Sequence, residues 1–255
     1  MKIFDTHCHL NHDDLYFEAE KYIKEANKVG VIRFLVVGYD LKTSLRAVEL
    51  AEKFEGVYAA VGVHPTEIDL SEQDFNKIMN LLRNPKVVAL GEIGLDYHWV
   101  KDEKQREKQK EYFIRQIKIA NEHHLPISIH SRDADKDTLD ILKDNHLEKG
   151  GIMHCYSGSV ESANEIIKLG LLISLGGPVT FLNAKTPKEI AKKVPLNKML
   201  VETDAPYLTP HPYRGKTNTP KHIVLVVEEI ARLKNISPLE VAEKTYENAN
   251  ELFHV

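Results

Sequence analysis

Eight short apolar runs, each followed by a longer amphipathic stretch, constrain this chain more than any other feature. The runs lie at 3–10, 33–38, 57–64, 87–94, 126–131, 151–157, 171–177 and 199–205. Most end at Gly, Pro or polar residues, as strands do. Near-continuous apolar strands alternating with helices are what a parallel sheet covered on both faces requires. The gaps carry helical periodicity. Over 13–29, Leu15, Ala19, Tyr22, Ile23 and Ala26 share a face, and over 103–123 Phe113, Ile117 and Ala120 do so. Ser71 through Asp74 reads as a capping box that opens a helix. Ser237-Pro238 opens another, whose face carries Leu239, Ala242, Tyr246, Ala249 and Phe253. Eight strand–helix units in 255 residues predict an α/β fold: a (β/α)₈ TIM barrel, a single domain over 1–255.

The bulk properties narrow the function classes. The chain is 42% hydrophobic and 28% charged, which suits a packed core. Its net charge of −4 excludes a broad polyanion-binding face, so any grip on nucleic acid must be local. Cys8 and Cys155 are the only cysteines, too few for a disulfide framework, and both are expected as buried small side chains. The N-terminal segment has no signal-peptide h-region, and no apolar run approaches membrane-span length. These features predict a soluble cytoplasmic protein without membrane contact.

The titratable residues cluster at strand ends. His7 and His9 close the first run, His64 the third, Glu92 the fourth, His130 the fifth, His154 the sixth and Asp204 the eighth. In a parallel barrel these positions converge on one mouth, where barrel enzymes hold their sites. Residues i and i+2 of a strand point to one side, so His7 and His9 can reach one ion while Cys8 faces the helices. Burying so many polar groups together without a cation would leave several unsatisfied. Imidazoles mixed with carboxylates suit Zn²⁺, Mn²⁺ or Mg²⁺, without choosing among them. The natural division gives His7, His9 and Asp204 to one ion and His130 and His154 to a second, with Glu92 as the bridge. A pair of divalent ions about 3.5–4 Å apart can activate a shared water and stabilise attacking and leaving oxygens. Asp204 is placed to act as general base. His64 is open among a supporting role, a substrate contact and a proton donor. Glu202 lies two residues before Asp204 on the same side, where it can orient a ligand or pair with an arginine.

These motifs resemble the TatD family of metal-dependent deoxyribonucleases. DTHCHL, GVHP, GEIGLDY, HSR, HCYSG, ETDAPYL, PYRGK and the terminal NANELF look like that family's blocks, in order and along the whole chain. The resemblance implies metal-dependent phosphodiester hydrolysis of DNA, often from 3′ ends. It also implies His7, His9, Glu92, His130, His154 and Asp204 as metal ligands. One departure stands out: the family commonly reads Asn-Glu-Pro where this chain has Asn218-Thr219-Pro220, which puts substrate contacts in that loop in doubt.

Arg132, Arg214 and Lys216 lie near the mouth in sequence and can hold a phosphodiester. Tyr156 and Tyr207 can stack on a base. So small a footprint favours single-stranded DNA or a 3′ end over long duplex. Two rival readings remain. One is an amidohydrolase-like lactonase, esterase or amidase acting on a small molecule; the run VVALGEIG, which offers Glu92 and no Lys as the bridge, argues against it. The other is a barrel that binds metal or DNA without turnover.

Overall fold

The computed structural model describes residues 1–255. All eight expected strands form: β1 (Ile3–Cys8), β2 (Val31–Val37), β3 (Val57–Val61), β4 (Val87–Asp96), β5 (Ile127–Arg132), β6 (Gly151–Met153), β7 (Leu171–Leu175) and β8 (Met199–Val201). They pair in parallel in sequence order, one barrel sheet with helices between successive strands. The strands are buried along nearly their whole length, because side chains fill the barrel on one face and helices cover the other.

Local chemistry starts and stops the helices. The span expected as one helix over 13–29 divides into α1 (Asp13–Tyr16) and α2 (Ala19–Asn27), because Glu18 leaves helical geometry. Next come α3 (Leu41–Lys53) and α4 (Glu72–Asn80). The Ser71 hydroxyl accepts the Asp74 N–H at 3.1 Å, so the cap forms, though only its serine half does. Helix α5 (Glu103–Glu122) lays Phe113, Ile117 and Ala120 against the barrel, each 1% exposed or less. Each such large apolar side chain contributes roughly 1.5–3 kcal/mol. After α6 (Asp135–Asp144), α7 (Val160–Lys168), α8 (Thr186–Lys193) and α9 (Ile223–Lys234), the chain ends in α10 (Pro238–Phe253). Ser237 caps α10 through the Glu240 N–H, as its sequence predicts. No helix is long and apolar enough to cross a membrane.

The seam between β8 and β1 is closed by side chains and loop backbone. The Thr6 hydroxyl donates to Val201 O at 2.9 Å. Thr203 donates its N–H and hydroxyl to the two Asp5 oxygens, at 2.9 and 2.6 Å. Asp204 N–H donates to His7 O and His9 N–H to Ala205 O. Asp5 is fully enclosed, and burial pushes its carboxyl up to about 8 despite the Thr203 bonds. This stitching fixes the two chain segments that carry His7, His9 and Asp204.

Strand β4 is longer than its sequence signal, so Glu92 lies inside it and not at its end. The register against β5 shifts between Leu90 and Ile93, then resumes with Gly94 opposite His130. Gly94 has φ +138°, and a Cβ there would meet the His130 carbonyl oxygen at 2.0 Å. Only glycine lets β4 pass so close to β5. That approach brings Glu92 and Asp96 to either side of the His130 ring.

Candidate metal centre

Seven side chains meet at the C-terminal mouth of the barrel. His7, His9 and Asp204 form one group: His7 Nε2 is 3.3 Å from His9 Nε2, and Asp204 Oδ1 is 3.9 and 3.4 Å from those two nitrogens. His130 and His154 form a second, with His130 Nδ1 and His154 Nε2 3.3 Å apart. Glu92 stands between the groups. Its Oε2 lies 3.6 Å from His7 Nε2 and 3.7 Å from His9 Nε2. Its Oε1 lies 2.9 Å from His130 Nδ1 and 3.0 Å from His154 Nε2. One carboxylate therefore turns an oxygen to each set of imidazoles.

The outward nitrogen of each ring has its own neighbour. His9 Nδ1 faces Val37 O at 2.8 Å, and His7 Nδ1 faces Ser128 Oγ at 3.3 Å. His130 Nε2 faces Asp96 Oδ2 at 3.0 Å, and His154 Nδ1 is 3.4 Å from Glu202 Oε1 without a hydrogen bond. A carbonyl or carboxylate oxygen only accepts, so the outward nitrogens of His9 and His130 must donate. The inward nitrogens, when the rings are neutral, then carry lone pairs, the arrangement that metal-binding histidines need. His64 is built the opposite way. The Thr66 backbone N–H donates to its Nδ1 at 3.2 Å, which puts the neutral ring's proton on Nε2. That N–H points inward, 3.6 Å from Glu92 Oε1.

Electrostatics follow from burial and from this mutual contact. Burial disfavours the imidazolium of His154, but the charges of Glu92 and Glu202 override it and hold its pKa well above 6.5. For His9 and His130 burial is likewise outweighed, by Asp204 and by Asp96 with Glu92, and both are raised. Burial lowers His7, and takes His64 down to about 3. Burial works against the charge on Glu92 and Asp204, yet the surrounding imidazoles keep both below the usual carboxylate range. The donor set thus offers ionised carboxylates and imidazoles that must shed protons before binding a cation.

The residues fit a divalent metal. Donor atoms of His7, His9 and Asp204 lie within 4.8 Å of one another, as do those of His7, His154 and Glu202 and those of His64, Glu92 and His130, although His64 turns an N–H and not a lone pair inward. Glu202 Oε2 and His154 Nδ1 are buried without a hydrogen-bond partner, a cost that a cation nearby offsets. Metal binding then competes with protons on His9, His130 and His154, whose carboxylate neighbours favour the imidazolium. Affinity for Mn²⁺ or Zn²⁺ is expected to climb with pH above 6.5, with protons released on loading. Calorimetry in two buffers of different protonation enthalpy reads that release; identical heats in both would contradict it.

A family model described as TatD related DNase matches residues 4–254. The chain belongs to the TatD family of metal-dependent hydrolases. It is 48% identical to the Bacillus subtilis (strain 168) protein named uncharacterized metal-dependent hydrolase YabD, with 99% of each chain covered. It is 38% identical to its Escherichia coli (strain K12) counterpart YcfH, covering 100% of this chain and 97% of that one. The crystal structure of the TatD homologue YJJV from Escherichia coli K12 superposes with a TM-score of 0.94 at 32% identity, covering 99% and 98% of the two chains.

Some expected contacts of this TatD barrel change on folding. Tyr156 is 5% exposed, packs in the main core, and donates its hydroxyl to Ser159 O, so it cannot stack on a base. The local reason is the tight turn after β6, where Cys155 takes φ 43°. Glu202 pairs with no arginine: its Oε1 accepts the Cys155 N–H at 2.6 Å beside His154. Thr219 is 7% exposed at the start of a short 3₁₀ turn, not an open residue of the mouth. Its neighbour Asn218 ties the loop down, donating to Thr203 O and Tyr207 O. Tyr207 stays 47% exposed, with its ring edge-on to His9 at 6.0 Å. Arg132, Arg214 and Lys216 are exposed, and the Arg214 guanidinium lies 3.8 Å from the Phe181 ring.

Asp96 is the residue that sequence reasoning missed. Its signal was available: four residues beyond Glu92 on one strand, it shares the same face. Ser128, which faces the His7 ring, had no comparable signal.

Proposed function

We propose that this TatD-family hydrolase cleaves phosphodiester bonds of DNA, using two divalent ions at the barrel mouth, and removes nucleotides from the 3′ ends of single strands. The observation that carries the reading is the Glu92 carboxylate, one oxygen toward His7 and His9 and the other toward His130 and His154. Four imidazoles among the donors favour Mn²⁺ or Zn²⁺ over Mg²⁺. When bound, such ions supply positive charge that polarises a phosphodiester and makes water a better nucleophile at neutral pH.

The chain's own groups do the rest. His7, His9, His130 and His154 each turn a ring nitrogen inward, and Val37 O and Asp96, which only accept, leave the inward nitrogens of His9 and His130 with lone pairs once those rings are neutral. Asp204, ionised and 8% exposed at the mouth, accepts the proton of the attacking water. His64, neutral at physiological pH, donates its Nε2–H to a phosphoryl or leaving oxygen without needing to be charged. Glu202 keeps the His154 ring turned toward Glu92. Arg132, Arg214 and Lys216 supply the local positive charge that a net-acidic surface lacks, and Tyr207 offers an open ring beside His9.

Linear and covalently closed single-stranded DNA of one sequence, digested in parallel, test the polarity and end requirement. A 3′-labelled linear strand should release labelled mononucleotide first, while the circle persists. Equal rates on both substrates, or prior loss of a 5′ label, would refute the 3′ exonuclease reading.

A further inference from the structure

We infer that Trp99 and Arg132 form a nucleobase-stacking subsite on the rim, for the base of a single-stranded chain one step away from the cleaved bond. The inference rests on the nuclease reading for its substrate class. Trp99 is the chain's only tryptophan and is 69% exposed. A solitary exposed aromatic carries no message by itself. This one, however, is fastened to the catalytic mouth. Its backbone N–H donates to Asp96 Oδ1 at 2.8 Å, and the other Asp96 oxygen faces His130 Nε2 at 3.0 Å. The Trp99 backbone thus sits two hydrogen bonds from an imidazole of the centre, and its ring projects from that anchored position.

Its surroundings have the chemistry of a nucleotide contact. The Arg132 guanidinium stands 5.6 Å from the Trp99 ring centroid, and His98 meets that ring edge-on at 4.9 Å. Asp133 holds His98 in turn, with its Oδ2 at 3.2 Å from Nδ1. An aromatic face takes any base, and a guanidinium beside it takes the phosphate or stacks as well. Position supports the same occupant. Trp99 follows β4 and Arg132 ends β5, whereas Tyr207 follows β8. In an eight-stranded barrel ordered β1 to β8, β4 and β8 face each other. A strand lying across the mouth therefore meets an open ring on each rim, with the imidazole and carboxylate cluster between them.

Because no other tryptophan contributes, intrinsic fluorescence reports this ring alone. The metal-loaded protein would be titrated with hydrolysis-resistant phosphorothioate oligothymidylate, and binding followed separately by anisotropy of an end-labelled copy. Saturable quenching that tracks anisotropy is expected. Trp99→Ala should raise KM for oligonucleotide about tenfold, and should raise KM for methyl p-nitrophenyl phosphate, which has no base, far less. Trp99→Phe should recover most of the difference. Oligonucleotide bound without any change in fluorescence, or an unchanged oligonucleotide KM in Trp99→Ala, would overturn the subsite. So would fluorescence that shifts with protein concentration alone, which assigns the ring to contact between copies. If the protein hydrolyses neither diester, the nuclease reading fails, and the fluorescence titration still decides the subsite by itself.

Discussion

Replacing Glu92 by Gln is expected to lower turnover by about 10³-fold or more and to cost the protein at least one bound ion. The size follows from what the carboxylate does. Divalent ions supply several kcal/mol of charge stabilisation in the transition state, and about 4 kcal/mol corresponds to nearly 10³ in rate. Glu92 is the only group whose oxygens face both imidazole sets, Oε2 toward His7 and His9 and Oε1 toward His130 and His154. Gln keeps the shape but removes the charge, and its amide nitrogen has no lone pair to offer a cation. A second readout is independent of activity. In the metal-free protein, burial already disfavours protonated His130 and His154, and the Glu92 charge helps to override it. Without that charge both imidazole pKa values should fall, which NMR titration measures. A Gln variant with full metal content and parental rate would remove Glu92 from the bridge.

Asp204→Asn is expected to be nearly as severe in rate but different in kind. Loss of a positioned general base costs about 10²–10⁴-fold, and the loss should fall on kcat with KM changed only a few-fold. Asp204 faces only the His7–His9 group, through Oδ1, so the His130–His154 group should keep its ion. Elemental analysis of the variant used for kinetics separates the two effects. A rate within tenfold of the parent would take the base role away from Asp204. The backbone supports a near-isosteric test: Asp204 has φ 55°, a conformation that Asn also tolerates.

Glu92 and Asp204 also show how different kinds of information entered the chain. Asp204 was legible because it follows a short apolar run in an otherwise clear strand–helix alternation. Glu92 was legible as a donor but misplaced by its setting, since β4 runs on to Asp96 and the carboxylate projects from within the strand. Asp96 went unread for that reason: with the strand taken to end at residue 94, it counted as loop. Tyr156 failed differently. It follows His154 by two residues, but the turn at Cys155 sends its ring into the core, a backbone rotation that no periodicity announces.

The sequence by itself determined the barrel and the donor types at its mouth. Strand period, helix faces and caps are properties of a few adjacent residues, and a parallel barrel gathers strand ends without further instruction. Only the tertiary structure decided which nitrogen of each histidine turns inward, which Glu92 oxygen faces which group, that Glu202 sits against His154, and that the Trp99 backbone hangs from Asp96. Those outcomes depend on contacts such as His7 with Ser128 and Asp5 with Thr203, made across 121 and 198 residues. A tautomer or the orientation of a carboxylate is set by what the chain brings alongside it, and that neighbour exists only after the barrel has closed.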